Sequence, residues 1–314
     1  IYVYKLIELT DVADYLGKKY GGWLNLAKAY GKRAKSDAWI GLPFGATAGP
    51  LIYRKSILKS VGFDKAPEDA AGFLDLCKKL QKAGKPAGFA LGNAVGDGNG
   101  FADWMLWSHN ASLLDEEGNV TINSKETIAA LKYVKELYPT FIAGTPSWND
   151  VSNNRAYSSQ ELALTANGVS LYFSLKNDPA TAAIAEDSEH QLLPKFFAPN
   201  SPMSGLTLNA MVFKHSQYPN AAKAFLQFML EKDQYEPWLN ANSGYWSQPL
   251  AAYADAKVWS GDPKVAIFKD TMHSKYYAGY KGPISTATGA VRADYVTVQM
   301  FAAVATGAST PEAA

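Results

Sequence analysis

A chain of 314 residues is longer than one ordinary hydrophobic core requires, so one large domain or two lobes is the expectation. Apolar residues at 47% and charged residues at 19% fit a globular protein and exclude a disordered or fibrous one. The net charge of +1 leaves no basic footprint for nucleic acid or an anionic membrane, and no apolar run approaches the ~18 residues that span a bilayer.

Trp23, Leu26, Ala27 and Tyr30 recur at helical spacing and predict a helix that Gly31 stops. The stretch "LPFGATAGPLIYRKSILKSVGF", residues 42–63, sets small residues between two prolines, then an apolar strand "LIY" that runs into a basic helix. Phe73, Leu76, Cys77 and Leu80 predict a second helix, with Pro67 near its start and Gly84 past its end. "AGFALG", residues 87–92, reads as a short buried strand, and "LLDEEGNVTINS" as a hairpin around Gly118. Asn123, with Glu126 three residues on, reads as the cap of a helix whose buried face is Ile128, Leu131, Val134 and Leu137. "ELALTANG" predicts a strand entering an Asn-Gly turn. "LTLNAMVF", residues 206–213, predicts another strand, followed by a helix carrying Ala222, Phe225, Leu226 and Met229. Short strands alternating with amphipathic helices give an α/β fold with a mostly parallel sheet.

Chemistry motifs are mostly excluded. Gly45 and Gly49 stand four apart with Pro50 behind them, which breaks the P-loop pattern and removes a backbone donor. "GNAVGDGNG" misses the dinucleotide spacing, and Phe101 and Ala102 fall where a calcium loop needs a ligand and a glycine. The four histidines are scattered, so no metal is expected, and there is no G-x-S-x-G elbow. Cys77, the single cysteine, falls on an apolar helix stripe and reads as a small buried hydrophobe. The first residue is Ile1 and no signal-peptide pattern follows it, so the natural start is expected to have been cleaved or cut away.

What remains is a set of small-residue loops beside aromatic, amide and carboxylate groups. "GDGNGFADWMLW" offers Asp97, Asn99 and Phe101 on a loop entering a helix, although a buried stripe with Trp104 and Met105 is the plainer reading of Phe101. "ANGVSLYF" offers Asn167, Ser170 and Tyr172 after a strand, and "NSGYWSQPL" places Tyr245 and Trp246 between a glycine and a proline. Amides and carboxylates hydrogen-bond sugar hydroxyls, and aromatic faces stack on the C–H face of a pyranose.

Seven segments, in order, resemble the extracellular solute-binding proteins of carbohydrate ABC importers, the family that includes maltose-binding protein. They are "YKLIELTDV", "WIGLPFGATAGPLIYRKSILKSVGF", "GKPAGFALG", "FIAGTPSWNDVSNNRAYSSQELALTANGVSLYF", "LTLNAMVFKHSQYPNAAKAFLQFMLEK", "GYWSQPL" and "ATGASTPEAA". The chain departs from the family in "PEDAAGF", which lacks the usual tryptophan, and in "ISTATGAVRADY", where a sugar-stacking tryptophan of some relatives is absent and Arg292 is the substitute offered.

The resemblance implies a two-lobed, periplasmic-binding-protein-like α/β fold of type II, its first lobe incomplete at the N-terminus. Lobe one would hold residues 1–45 and 206–282, and lobe two residues 46–205 and 283–314. Crossings would lie near 43–50, 203–207 and 282–285, with Gly45, Gly49 and Gly205 as hinge residues. The ligand residues implied are Phe44, Thr47, Asp97, Asn99, Phe101, Ser170, Tyr172, Tyr245, Trp246 and Arg292. The function implied is capture of a sugar or polyol in the interlobe cleft and its delivery to ABC permease subunits. No catalysis or cofactor is implied, and the protein would be a monomer in the periplasm or outside the cell. Capture of a sugar acid or a polyamine, or a carbohydrate-active enzyme on the same scaffold, are the alternatives; Arg292 on the ligand would favour an acid.

Overall fold

The computed structural model describes residues 3–314. Its helices and strands run α1 (Thr10–Lys19), α2 (Asn25–Gly31), β1 (Leu42–Ala48), β2 (Leu51–Arg54), α3 (Lys55–Ser60), α4 (Ala70–Lys82) and α5 (Asp97–Ser108). They continue with α6 (Lys125–Leu137), α7 (Ser152–Ser158), β3 (Leu164–Ala166), α8 (Val169–Asn177), α9 (Ala182–Asp187), β4 (Ser188–Gln191) and β5 (Gly205–Ala210). The last are α10 (Pro219–Met229), α11 (Lys232–Ala241), α12 (Val258–Gly261), α13 (Thr286–Ala293) and α14 (Val296–Ala305).

Two compact units result. Unit one comprises Ile1–Ala48, Gly205–Tyr277 and Pro283–Thr286; unit two comprises Gly49–Ser204, Ala278–Gly282 and Ala287–Ala314. Residues 46–48 group with unit one because β1 stays paired to its end, Ala48 facing Gly205. Ala278–Gly282 groups with unit two, where the Lys281 N–H donates to the Leu114 carbonyl at 3.3 Å.

Unit one is organised on the antiparallel pair β1–β5, with a register shift between Pro43 and Gly45. Trp23 and Trp39 anchor α1 and α2 beside it, ring centroids 4.9 Å apart, and the Trp23 indole N–H donates to the Ala13 carbonyl at 2.8 Å. β5 keeps Leu206 and Leu208 at the surface, and α10 forms as expected but leaves Phe225 59% exposed. Only Leu226 of its expected stripe is buried.

Unit two contains the three-stranded order β3-β2-β4, both pairings antiparallel. The expected parallel sheet is thus corrected: among the described residues, parallel pairing is confined to single bridges from Ala87 to Phe141 and Leu164. Alternation implies parallel strands only when one crossover helix separates them, whereas a long helical excursion separates β2 from β3. The expected strand at 87–92 is also absent. Its backbone is buried but satisfied piecemeal, with the Gly88 N–H donating to Leu164 at 3.0 Å and the Leu91 N–H to Thr145 at 3.0 Å.

The local signals fare better. α4 is capped by the Asp69 carboxylate, which accepts from the Gly72 N–H at 2.8 Å. The cap of α6 moves one residue, from Asn123 to Ser124, whose hydroxyl accepts from the Thr127 N–H at 3.2 Å. The turn at Gly118 forms, with φ at +95° and the Asp115 carboxylate accepting its N–H at 2.8 Å. Cys77 is fully buried, and burial pushes its thiol well above the usual range, so it is an inert packing group. The core of unit two is aromatic. Phe89 stacks on Phe101 at 5.4 Å, Trp104 meets Phe73 edge to face at 5.4 Å, and the Trp104 indole N–H donates to the Pro194 carbonyl at 2.8 Å.

Candidate functional site

Unit one gathers Phe44, Thr47, Tyr245 and Trp246 by backbone pairing. Ala46 and Ser247 form an antiparallel bridge in which the Ser247 N–H donates to the Ala46 carbonyl at 2.8 Å and its hydroxyl to the same oxygen at 3.0 Å. That bridge lays Trp246 against β1 so closely that a Cβ on Gly45 would stand 2.7 Å from the Trp246 Cβ. Only glycine fits there. The preceding turn is fixed by Asn242, whose side-chain carbonyl accepts the Gly244 and Trp246 N–H groups, each at 3.1 Å. The Tyr245 and Trp246 rings meet edge to face at 5.0 Å, and Tyr245 is 37% exposed. Phe44 is half-buried, edge-on to Trp238 at 6.4 Å, and its carbonyl accepts the Tyr235 hydroxyl at 2.5 Å. The Thr47 hydroxyl oxygen is buried with no hydrogen-bond partner in the protein.

Unit two treats its six expected ligand residues unequally. Asp97 begins α5, and the carboxylate of Asp150 caps that end, accepting the N–H groups of Val95, Gly96 and Asp97 at 2.8, 2.9 and 2.9 Å. The Asp97 carboxyl therefore sits in a desolvated spot beside a second carboxylate. Burial first, then the Asp150 charge, push its pKa up to about 7, against a hydrogen bond from Asn153 that lowers it. Asn99 is buried, its side-chain amide donating to the carbonyls of Val95 at 3.2 Å and Arg292 at 3.3 Å. One turn along α5, Asp103 pairs with the Arg292 guanidinium; burial raises the Asp103 pKa while Arg292 opposes it. Ser170 is exposed in the first turn of α8, and Tyr172 is buried edge-on to His190 at 5.6 Å. Phe101 is 4% exposed and its ring is committed to the aromatic core, so its place among the ligand groups is corrected to packing.

Sequence reasoning singled out Asn167 but missed Asn153 and Asn154, the amides of α7 that complete this cluster. The Asn153 amide donates to the Ala166 carbonyl at 3.0 Å, and the Asn167 amide donates to the Asn154 side chain, joining the ends of α7 and β3. The signal was the run "WNDVSNN", four amide or carboxylate side chains in the six residues after an aromatic. Donors and acceptors of this kind suit a polyhydroxylated ligand. Among the described residues, no three His, Cys, Asp or Glu side chains gather as a metal set.

A two-unit α/β chain with an aromatic pair in one unit and an amide–carboxylate cluster in the other has the make-up of a solute-binding protein. The profile of the bacterial extracellular solute-binding protein family matches residues 3–267, and the chain belongs to that family. Among solved structures, maltose-bound MalE3 of T. maritima is similar at a TM-score of 0.80 and 23% identity, over 99% of this chain and 78% of that one. A sugar transporter from Arthrobacter chlorophenolicus A6 with bound laminaribiose is similar at a TM-score of 0.76 and 17% identity, over 98% and 77% of the two chains. A solute-binding protein from Agrobacterium radiobacter K84 in complex with ribitol scores 0.75 at 16% identity, over 98% and 77%. YcjN of Escherichia coli (strain K12), named for an ABC transporter periplasmic-binding role, is 25% identical over 248 residues, which is 76% of this chain. The chain spans 55% of that relative's length.

Proposed function

We propose that the protein captures a sugar or polyol and delivers it, chemically unchanged, to the permease subunits of an ABC importer, working in the periplasm or at the outer face of the cell. The observation that carries this reading is the Ala46–Ser247 bridge. It holds a partly exposed Tyr245–Trp246 pair beside β1, a stacking platform with the unpartnered Thr47 hydroxyl on the same strand. The ligands named for the relatives support the substrate class: maltose, laminaribiose and ribitol are neutral polyols or sugars. Arg292 would have argued for an acid had it been uncommitted, but its guanidinium pairs with Asp103. Ligand shifts an open–closed balance only by its differential affinity for the closed arrangement, and Gly49, at the junction of the two units, is the hinge residue proposed.

A thermal-shift screen of the full natural protein against mono- and disaccharides, polyols, sugar acids and polyamines tests the reading. A ligand at one hundred times its dissociation constant adds about 2.7 kcal/mol to stability. A rise with at least one neutral sugar or polyol is expected. A rise with polyamines or acids alone, or turnover of a glycoside, would overturn it.

A further inference from the structure

Unit two carries a pocket that none of the expected ligand residues lines. Its volume is about 340 Å³, and its walls include Ile142, Trp148, Ser152, Arg155, Ser159 and Glu161. Helix α7 and its C-cap supply one wall, because Ser152, Arg155, Ala156 and Ser159 recur at i, i+3, i+4 and i+7 and form one stripe. Trp148 supplies the facing surface. Its ring tip is seated over Gly88, where an added Cβ would meet Trp148 Cη2 at 2.6 Å, Leu162 at 2.8 Å and Ile142 at 2.9 Å. The indole is thus fixed at one end and half-exposed at the other.

The polar groups are placed by the same local structure. The Ser159 hydroxyl donates to the Glu161 carboxylate at 3.0 Å and orients it. Arg155 is exposed, and its guanidinium makes no hydrogen bond or ion pair with any described residue, Glu161 included. A guanidinium only donates and a carboxylate only accepts. Two such groups lining one pocket, unpaired with each other, suit a ligand that both donates and accepts. A singly charged ligand would gain one of these groups and be opposed by the other, whereas hydroxyls, which both accept and donate, can satisfy both. An apolar ring alone would use Trp148 and leave both charged groups without new partners. The volume lies in the range of small-molecule sites and suits one six-membered sugar ring.

We propose that this pocket is a second carbohydrate site, taking a single neutral pyranose residue stacked on Trp148 and hydrogen-bonded by Arg155 and Glu161. Its occupancy is independent of capture at Trp246. The test is a two-dimensional NMR titration of the indole N–H signals of the full natural protein, the Trp148 signal being the one missing in Trp148→Phe. The probes are methyl β-D-glucopyranoside, D-glucuronate and 4-ethylphenol, the last standing for an aromatic side chain of a protein partner. Each is taken to about 50 mM, enough to reveal a millimolar site. The Trp148 signal should move saturably with the glucoside, more weakly with glucuronate, and not with the phenol. Arg155→Ala and Glu161→Gln should each weaken the response about tenfold while leaving any Trp246 response in place. An unmoved Trp148 signal overturns the proposal, as does a tighter response to glucuronate, a response to the phenol alone, or indifference to both substitutions. Failure of sugar capture at Trp246 would show separately, in the Trp246 signal.

Discussion

Trp246 and Gly45 constrain each other: the indole can lie along β1 only because position 45 has no side chain. Gly45→Ala would place a methyl 2.7 Å from the Trp246 Cβ and 3.1 Å from the Ser247 carbonyl, both attached to backbone that the Ala46–Ser247 bridge holds. The expected cost is about 1–3 kcal/mol of stability, with weakened sugar affinity, read from chemical denaturation and titration of the same sample. Gly49→Ala meets only ordinary contacts, the nearest being the Asn167 backbone at 3.5 Å. It should change stability by less than about 1 kcal/mol, so an altered affinity in that variant reports on hinge behaviour without a packing artefact. Asp97 supplies a pH test. Its folded pKa, about 7, lies above the ordinary 3.8. The stability it allows is therefore complete below the unfolded value and is lost as pH rises through about 7. Asp97→Asn keeps the side chain neutral and should gain on the wild type between about pH 5 and about pH 8. Melting curves at the two pH values check this, and parallel curves would contradict it.

Among helices and strands, the Asp103–Arg292 pair ties α5 to α13 across 189 positions of sequence. Removing one partner strands a buried charge, so Arg292→Met should cost about 3–5 kcal/mol. Asp103→Asn with Arg292→Met should recover part of that loss in a denaturation cycle, and a double variant no better than the single one would deny the coupling. The same pair shows where local reading stops. Caps and turns were legible: Asp69 before α4, the Gly118 turn and the α6 cap to within one residue, each set by neighbours in sequence. For Phe101 the spacing reading held, a buried stripe with Trp104 and Met105, while the ligand role that the resemblance implied did not, since nearly every side chain of α5 is buried. Strand direction failed because it is set by where distant segments return, not by the alternation of element types.

Taken as a whole protein, the α/β class and the family were legible because ordered segments along nearly the full chain carry them, and the family profile covers residues 3–267. The candidate site was legible in half. "GYWSQPL" and "LPFGATAGP" each announced themselves as turns between elements, and the bridge between Ala46 and Ser247 joins them. The amide cluster was not, because Asp97, the Asp150–Asn153 run and Asn167 belong to three segments that only the fold brings together. Capture without chemistry further requires that a bound sugar be recovered unaltered after incubation, which chromatography of the released ligand checks; any product would point to an enzyme.

The decisive measurement is calorimetric titration of the neutral sugar or polyol found by the thermal screen into wild-type protein and Trp246→Ala. Loss of the stacking face should weaken the tighter binding event about tenfold or more, as removal of an aromatic contact worth over 1 kcal/mol requires, while any weak millimolar event at Trp148 is left unchanged. Equal affinity in the two proteins would contradict the assignment of the Tyr245–Trp246 platform as the place where the sugar is held.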